Sequence, residues 1–463
     1  MRVHPWPNRG GNANQSGAAL HAGPSDVTRP SWIFSEPRRW HKGHDKMDRA
    51  WMQSPVIDDS LNVYVASTTG WIYSLSAQGQ LNWELDTKSV HPANLALSGD
   101  AIYTATLDST LLKIQKDSGR ELFRTKISEQ TGAADSHAIL VAGETVLVSC
   151  NLVHDAFWSG RPHEYGGGDS LCALAASDGH FLWNYSIATR AGVGTYNAAP
   201  AVVGDAVLVS DRTGAVYCLS LADGSERWRA PSPAPGSWTT GGLAVGPSGA
   251  VYAPANRGHP SAPQPCFLRA LDISNGTLLW SREFHEPANA PPAVGPVCCG
   301  KQRGHQGQRE MRLAVVVAIG SNPSCTPFGR MGWTEWLELK LGRRPTQQGV
   351  VVALSPRDGS TLWSFHLPPS LVGQPAAGIT ASESCCPDLY GPLSIGADGT
   401  VHLNWAGGKT LALKDANGDG KVDAADPLEV SSYDHGLSSQ SGTAIAPGLS
   451  ATSNCRHVLG YLS

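Results

Sequence analysis

The sequence predicts an all-β fold, an eight-bladed β-propeller of four-stranded antiparallel blades. The first observation behind this prediction is a unit of alternating strands that recurs along the chain and ends in a glycine turn followed by an aromatic residue. The second is composition: the 463 residues include 15 Trp but only 8 Phe, as a repeat with one Trp per unit would produce. The 51 Gly and 32 Pro argue against a long coiled coil, and an apolar content of 41% argues against a disordered chain.

The repeat is clearest at the last two strands of each unit, which the glycine turn joins. In six copies the aromatic residue follows the turn glycine at an offset of four residues: Gly79 and Trp83, Gly119 and Phe123, Gly179 and Trp183, Gly224 and Trp228, Gly276 and Trp280, Gly359 and Trp363. In the fourth copy, two further short strands precede this hairpin within residues 199–210. Apolar alternation with Gly-Asp and Asp-Gly turns is typical of antiparallel hairpins, so each unit is interpreted as a four-stranded meander.

Two weaker units follow the six regular copies. The seventh begins near residue 392, and we expect residues 428–430 to replace its Trp strand. The eighth begins near residue 443 and lacks a Trp strand, whereas residues 31–34 at the other end of the chain resemble residues 362–365. We therefore expect the N-terminal strand to complete the last blade and remove the exposed sheet edges. Seven blades is the alternative if the seventh unit is an insertion.

The pattern Ala-Leu-x(3–4)-Asp/Asn-Gly-x(3)-Trp resembles the repeat of pyrroloquinoline-quinone-type (quinoprotein alcohol dehydrogenase-like) propellers. Residues 6–17 resemble the lead-in of such domains. The resemblance implies a lead-in over residues 1–30 and a single propeller domain over residues 31–463. It also implies that one aromatic residue per unit docks on the neighbouring blade as a structural group; these residues are Trp32, Trp83, Phe123, Trp183, Trp228, Trp280 and Trp363. Fold alone does not imply the quinone.

Long insertions predict where a ligand or partner binds. Residues 151–169, 256–265 and 321–349 connect second to third strands, and residues 368–389 precede the seventh blade. In this type of propeller those connections share one face, so we expect that face to bind a protein partner or a small ligand. Tolerated insertions without function are the alternative.

One insertion has the spacing of a calcium loop. Asp415, Asn417, Asp419, Asp423 and Asp426 supply side-chain oxygens at positions 1, 3, 5, 9 and 12, and Gly420 stands at position 6. The backbone carbonyl of Lys421 would supply position 7. The loop resembles EF-hand and dockerin loops, with Asp in place of the usual Glu at position 12. We expect a structural calcium ion; a solvated acidic turn is the alternative.

The resemblance also raises the question of catalysis. Quinoprotein alcohol dehydrogenases of this fold hold a disulfide between adjacent cysteines against the quinone, and Cys385-Cys386 lies on the predicted binding face. No Glu, Asn and Asp set for the accompanying calcium is matched, however. The leading prediction is therefore a non-catalytic scaffold or binding domain. A pyrroloquinoline-quinone-dependent dehydrogenase of alcohols or sugars is the alternative.

A third hypothesis is carbohydrate binding by exposed tryptophans in or near loops. The candidates are Trp158, Trp238, Trp333 and Trp336. Aromatic rings with an apolar body and a polar edge suit partly wet surfaces of this kind.

The net charge and the targeting signals limit which partners and which cellular location we expect. The net charge is -4, which does not favour nucleic acid, and no run of about 18 apolar residues exists, so we expect no membrane span. No signal-peptide stretch is visible. The sequons at Asn14, Asn184 and Asn275 favour an extracellular, periplasmic or secretory-lumen location, and an intracellular chain is the alternative. We expect a monomer.

Overall fold

The computed structural model describes residues 3–37, 53–67, 69–89, 94–106, 108–127, 139–152, 168–186, 199–239, 241–257, 265–301, 309–320, 346–347, 349–367, 370–371, 390–437, 439, 441–454 and 456–463. Every regular element in these segments is a β-strand. They contain no helix that is long and apolar enough to cross a membrane.

The strands form eight blades, and the first strand of the chain belongs to the last blade. Their bounds in chain order are β1 (Trp32–Ser35); β2 (Val56–Ile57), β3 (Val63–Ala66), β4 (Trp71–Leu75) and β5 (Leu81–Asp86) in blade 1; β6 (Ala96–Ser98), β7 (Ala101–Thr106), β8 (Thr110–Gln115) and β9 (Glu121–Lys126) in blade 2; β10 (Ile139–Ala142), β11 (Thr145–Leu152), β12 (Gly168–Ala175) and β13 (Phe181–Ser186) in blade 3; β14 (Ala201–Val203), β15 (Ala206–Ser210), β16 (Val216–Ser220) and β17 (Glu226–Ala230) in blade 4.

The second half of the ring repeats this order. Its strands are β18 (Ala244–Val245), β19 (Ala250–Asn256), β20 (Cys266–Asp272) and β21 (Leu278–Phe284) in blade 5; β22 (Ala293–Lys301), β23 (Arg309–Ile319), β25 (Val350–Leu354) and β26 (Thr361–His366) in blade 6; β28 (Ser394–Ile395), β29 (Val401–Trp405), β30 (Lys409–Leu413) and β32 (Val430–Asp434) in blade 7; β33 (Ala444–Ala446), β34 (Leu449–Ser453) and β35 (His457–Leu462) in blade 8. Outside these, β24 (Thr346–Gln347) pairs with β27 (Ser370–Leu371), and β31 (Lys421–Val422) adds to blade 6.

Eight sheets confirm the predicted eight-bladed propeller, and the N-terminal strand closes it as predicted. β1 pairs antiparallel with β35, and Trp32 lies opposite Gly460. Blade 8 therefore combines both ends of the chain, which leaves the ring without a broken blade.

The core lies between the blades, because each blade buries both of its faces. The seam between blades 3 and 4, for example, packs Leu147 and Leu171 with Val207 and Tyr217. Such seams hold consecutive apolar residues rather than a strict inside-outside alternation, as in β15, where all five residues are buried.

Aromatic side chains connect successive blades at the outer rim. A Cβ added to Gly224 would lie 2.5 Å from the Trp183 ring, and the Trp183 Nε1–H donates to the Leu221 carbonyl (2.9 Å). The other turn glycines in contact with the ring of the preceding blade are Gly79 with Trp32, Gly119 with Trp83, Gly179 with Phe123, Gly276 with Trp228 and Gly359 with Trp280. We call the aromatic side chain of the preceding blade the plug, and we call the turn that contains the glycine the socket.

The two faces of the ring differ in their connections. The hairpin face carries the turns between first and second strands and between third and fourth strands, such as those at Gly204 and Gly224. The insertion face carries the other connections, including the insertions that begin after β11 and β23. Residues 153–167 and 321–345 of these insertions lie outside the described residues.

The lead-in fills the hairpin-face end of the central channel. It runs around the axis and bonds the backbone of the innermost strands of blades 1, 2, 4, 5, 6 and 7 in turn. The bonds are Trp6 N–H to Ile57 O and Ile57 N–H to Trp6 O, Leu97 N–H to Pro7 O, Val202 N–H to Ala13 O, Val245 N–H to Asn14 O, Val294 N–H to Ser16 O, Ile395 N–H to Gly17 O and Ala19 N–H to Ile395 O. The buried Trp6 ring, 1% exposed, packs with Ile57 of blade 1 and Ile445 of blade 8.

Glycine is required where the lead-in turns against the channel wall. Gly17 has a φ of +66°, and a Cβ there would lie 2.6 Å from the Leu393 carbonyl oxygen. The segment is therefore an integral part of the propeller, since its backbone takes up hydrogen-bonding groups that the inner strands would otherwise leave unpaired.

Candidate functional site

The insertion face lies at the opposite end of the propeller from the lead-in, and among the described residues it carries buried polar groups that join neighbouring blades. The Ser54 N–H donates to Asn94 Oδ1 (3.0 Å), and the Gly442 N–H donates to Ser54 Oγ (2.9 Å). These bonds tie blade 8 to blade 1 and blade 1 to blade 2. Ser54 and Asn94 are both buried, so these bonds link three successive blades at this end of the propeller.

A disulfide lies at the base of the longest connection of blade 3. Cys150 on β11 and Cys172 on β12 are bonded, with their Cα atoms 6.2 Å apart. Both are buried. The covalent link holds together the two strands from which the insertion at residues 153–167 emerges. Sequence reasoning did not identify this pair, because spacing alone does not give connectivity.

A buried cation supports the insertion face between blades 4 and 5. Arg269 on β20 donates through Nη1 to the Pro231 carbonyl (2.6 Å) and through Nη2 to the Gly214 carbonyl. Burial lowers the pKa of Arg269 to about 10, and the charge of Asp211 opposes that shift. Asp211 is itself buried and accepts the Tyr217 hydroxyl (2.8 Å). Arg269 thus fixes the connection after β17 against blade 5.

Trp238, expected as an exposed aromatic for carbohydrate, is buried, with 4% exposure, so that expectation is wrong. Its N–H and carbonyl pair with those of Asn256 at 2.9 and 2.8 Å. Asn256 in turn accepts the Ala288 N–H through Oδ1 (2.9 Å). Trp238 therefore closes a backbone bridge at the end of β19 and is not available as a sugar platform.

Several other predicted residues cannot be placed. Cys385, Cys386, Trp158, Trp333 and Trp336 all lie outside the described residues. Among the residues that are described, no group of three or more His, Cys, Asp or Glu side chains is arranged to hold a metal ion.

The calcium-type loop lies on the hairpin face, between blades 6 and 7. Asp415 is buried and accepts the Gly418 N–H through Oδ1 (2.7 Å) and the Gly420 N–H through Oδ2 (3.1 Å). Burial raises the pKa of Asp415, the two N–H groups lower it, and the charges of Glu429 and Asp419 raise it further.

The remaining predicted ligands each cap a backbone N–H close in sequence. Asn417 accepts from Asp419, Asp419 from Lys421, Asp423 from Ala425 and Asp426 from Leu428, all at 2.8–2.9 Å. Such caps are what Asp and Asn side chains commonly make in turns.

Glu429 is a loop residue that sequence reasoning missed. It is 1% exposed, and its carboxylate accepts the N–H groups of Ala416, Asn417 and Asp423 at 3.0, 3.1 and 2.8 Å. The outer strand of blade 7 accordingly begins at Val430, not at residue 428 as expected, because the residue before it is used inside the loop.

The loop fastens blade 7 to blade 6. β31 pairs parallel with β26, and the Ser364 N–H donates to the Gly420 carbonyl (3.1 Å). The Gly300 N–H donates to the Asp415 carbonyl (2.8 Å). Trp363, the plug of blade 6, lies fully buried in this seam, and its Nε1–H has no acceptor there. The loop thus stands where a socket would otherwise be.

Comparison with known proteins agrees with the repeat pattern. The sequence profile described as outer membrane protein assembly factor BamB matches residues 68–295, just under half of the chain. The curated BamB of Yersinia pestis is 25% identical over 231 residues, which cover 41% of this chain and 56% of that protein. The match thus spans little more than half the length of that relative.

Solved structures match over nearly the whole chain. BamB from Moraxella catarrhalis has a TM-score of 0.56 at 13% identity and covers 93% of this chain and 98% of its own. Quinohemoprotein alcohol dehydrogenase from Comamonas testosteroni has a TM-score of 0.61 at 13% identity, with 100% and 81% coverage. At these identities the structural matches show the fold. Together with the sequence profile, they confirm the predicted resemblance to propellers of pyrroloquinoline-quinone-type repeats.

Proposed function

We propose that this propeller of pyrroloquinoline-quinone-type repeats is a non-catalytic scaffold that binds a protein partner through its insertion face. The observation that carries the proposal is the lead-in. Because the backbone from Trp6 to Ala19 bonds the innermost strands towards the hairpin face, we expect a partner to bind at the opposite, insertion face. Long connections on a rigid β-scaffold are where binding residues concentrate.

The support for a scaffold comes from the construction of that face. The disulfide between Cys150 and Cys172 links the two strands that carry the insertion of blade 3, and Arg269 fixes the connection after β17. Both features stiffen the strands and connections that carry the insertions, and neither presents a free nucleophile or general base. The relatives matched by sequence are named as an assembly factor of outer membrane proteins, which is a role of protein contact rather than of chemistry.

We further propose that the protein works outside the cytoplasm, in the extracellular space, a periplasm or a secretory lumen. The support is the disulfide between Cys150 and Cys172, since such bonds persist mainly in oxidising compartments. The name of the matched relatives, which refers to the outer membrane, points in the same direction.

The partner face can be tested by site-specific photo-crosslinking in the native host. A photoreactive residue replaces Lys88 or Arg257, both exposed on the insertion face, and in matched controls it replaces Asp223 or Asp358, both exposed on the hairpin face. We expect a protein adduct from the insertion-face positions and none from the controls. Adducts from the hairpin face alone would contradict the proposal.

The dehydrogenase alternative has its own assay. Purified protein is mixed with pyrroloquinoline quinone, Ca²⁺, an alcohol and an artificial electron-accepting dye. We expect no alcohol-dependent reduction of the dye. Reproducible reduction that requires both quinone and alcohol would overturn the scaffold proposal.

We also propose that the loop at residues 415–426 binds calcium in a structural role. Side-chain oxygens and the Lys421 carbonyl would bind the ion once the side chains release the backbone N–H groups that they now accept. These side chains are those of Asp415, Asn417, Asp419, Asp423 and Asp426. Oxygen-only donors at this spacing suit Ca²⁺, and the position between two blades suits a stiffening role.

Thermal unfolding with and without Ca²⁺ tests the loop. We expect Ca²⁺ to raise the Tm of the unmodified protein and to have no effect on the double variant Asp415→Ala with Asp419→Ala. Asp223→Ala, a change to an exposed acid elsewhere on the hairpin face, is the matched control and should keep the response. An unchanged Ca²⁺ response in the double variant would reject the site.

A further inference from the structure

The seam between blades 7 and 8 differs from the aromatic seams in having polar side chains at its centre. Asn404 on β29 is fully buried and donates to the Ser441 carbonyl (2.7 Å) and to Thr452 Oγ1 on β34. Its own Oδ1 accepts the Thr410 hydroxyl (2.7 Å). These bonds join the second strands of the two blades and so fix how the strands lie against each other.

That register brings His402 opposite Ser450. Side chains two residues apart on a strand share a face, so His402 lies on the same face of β29 as Asn404, and Ser450 on the same face of β34 as Thr452. The two second strands run in the same direction, since each follows a first strand of equal orientation. The pair two residues before Asn404 and Thr452 is therefore His402 and Ser450.

These two side chains carry buried polar atoms without partners. His402 and Ser450 are both 0% exposed, and neither ring nitrogen of His402 nor the Ser450 hydroxyl makes a hydrogen bond. Tyr461, the cross-strand neighbour of Ser450 on β35, adds a third group. Tyr461 is 1% exposed, and its hydroxyl lies beside the Thr410 side chain without a well-formed hydrogen bond among the described residues.

The site is closed on its other sides. Ala412, the cross-strand partner of His402, packs with Tyr461 and with Val27 of the lead-in. Gly23 of the lead-in lies over Ser450, because a Cβ at Gly23 would be 3.7 Å from the Ser450 Cβ. A large ligand has no path to such a place, whereas water enters protein interiors and makes two to four hydrogen bonds there.

We propose that His402, Ser450 and Tyr461 surround ordered internal water that joins blade 7 to blade 8. A neutral imidazole offers one donor and one acceptor, and each hydroxyl offers both, so water can satisfy all three groups at once. Burial lowers the pKa of His402 to about 4, which keeps the ring neutral at ordinary pH. Leaving such groups unpaired in the interior is unfavourable, so the bridge is favoured over a dry seam.

A crystal structure of the full chain at a resolution that shows ordered solvent is the direct test. We expect solvent density within hydrogen-bonding distance of a His402 ring nitrogen and of Ser450 Oγ. A dry seam would overturn the proposal, as would a direct hydrogen bond from His402 to Ser450 or another protein group.

A variant series tests the same bridge in solution through the Tm. His402→Leu alone, Ser450→Ala alone and Tyr461→Phe alone should each lower the Tm, because each leaves water or its other partners unsatisfied. The triple variant should have a Tm at or above that of the best single variant, since no polar group remains to be satisfied. A triple variant that loses the sum of the three single losses would show that the groups share no water.

Discussion

The contact between plug and socket can be measured by adding a single methyl group to a turn glycine. In Gly224→Ala the new Cβ would lie 2.5 Å from Cε3 of Trp183, closer than van der Waals contact allows. The residue also has a φ of +71°, which L-residues adopt at a cost. The variant therefore carries both a backbone cost and a packing cost at the seam between blades 3 and 4.

The two costs have separate magnitudes. A left-handed φ costs a non-glycine residue roughly 1–2 kcal/mol. Excess volume in a well-packed core costs typically about 1–3 kcal/mol more. Gly224→Ala should therefore lower the free energy of unfolding by about 2–5 kcal/mol, in part by displacing the Trp183 ring from the Leu221 carbonyl that it now bonds.

Gly204→Ala is the matched control. Gly204 lies in another turn of blade 4 on the same face, with a φ of +60°, and a Cβ there would meet nothing within 4 Å. Urea unfolding of both variants, followed by Trp fluorescence, separates the costs: Gly204→Ala should lose only the backbone component. Equal losses in the two variants would refute the claim that the Trp183 contact holds the seam.

Three further predictions concern other parts of the ring. Cys150→Ser with Cys172→Ser removes a crosslink that spans 22 residues, so urea unfolding should show a loss of about 3 kcal/mol; dithiothreitol should then have no further effect. His402 is buried and His435 is partly buried, and desolvation lowers the pKa of each to about 4. Because the unfolded chain takes up these protons below about pH 6.5 and the folded chain does not, stability should fall from pH 6.5 to pH 4, by roughly 3 kcal/mol per histidine; a flat urea midpoint over this range would contradict the burial. Glu429→Gln replaces a carboxylate that accepts three N–H bonds, and urea unfolding should show a loss of about 1–3 kcal/mol.

The ring could be predicted because its information is local and repeated. Each unit needs a turn glycine and an aromatic residue at one offset, and the same need recurs in six copies such as Gly224 with Trp228. Closure could be predicted for the same reason, since Trp32 and its neighbours look like the missing piece of the last unit. A periodic side-chain requirement leaves a pattern that a single sequence shows.

The role of the lead-in could not be predicted in the same way. Its contacts with the channel are backbone bonds, such as Leu97 N–H to Pro7 O and Val202 N–H to Ala13 O. Backbone bonds constrain residue type only where space is short, as at Gly17. The sequence therefore signals an unusual segment but not which end of the channel it occupies.

The site residues show a similar limit. Trp238 looked like a loop aromatic, but its burial depends on a bridge to Asn256, which is distant enough in sequence to leave no local signal. Glu429 falls beyond the loop motif, yet its carboxylate organises that loop. Cys150 and Cys172 become partners only once β11 and β12 pair. Each of these residues acquires its role from a tertiary contact.

Plug and socket also explain why blade 7 is built differently. Each regular unit carries a socket for the blade before it and a plug for the blade after it, as Gly224 receives Trp183 while Trp228 contacts Gly276. A socket needs a turn between third and fourth strands. Blade 8 has no such turn, because its fourth strand, β1, comes from the other end of the chain.

A plug on blade 7 would therefore have no socket to fill, and β32 indeed carries no Trp. The same blade uses its own turn for the loop at residues 415–426, so Trp363 of blade 6 meets that loop instead of a glycine socket. Closing the ring with an N-terminal strand thus imposes one seam without a plug and socket. In this protein that seam, between blades 7 and 8, is the one held by Asn404 and Thr452. Introducing Trp into β32, where Tyr433 already packs on blade 8, would find no glycine socket there and would not raise the Tm.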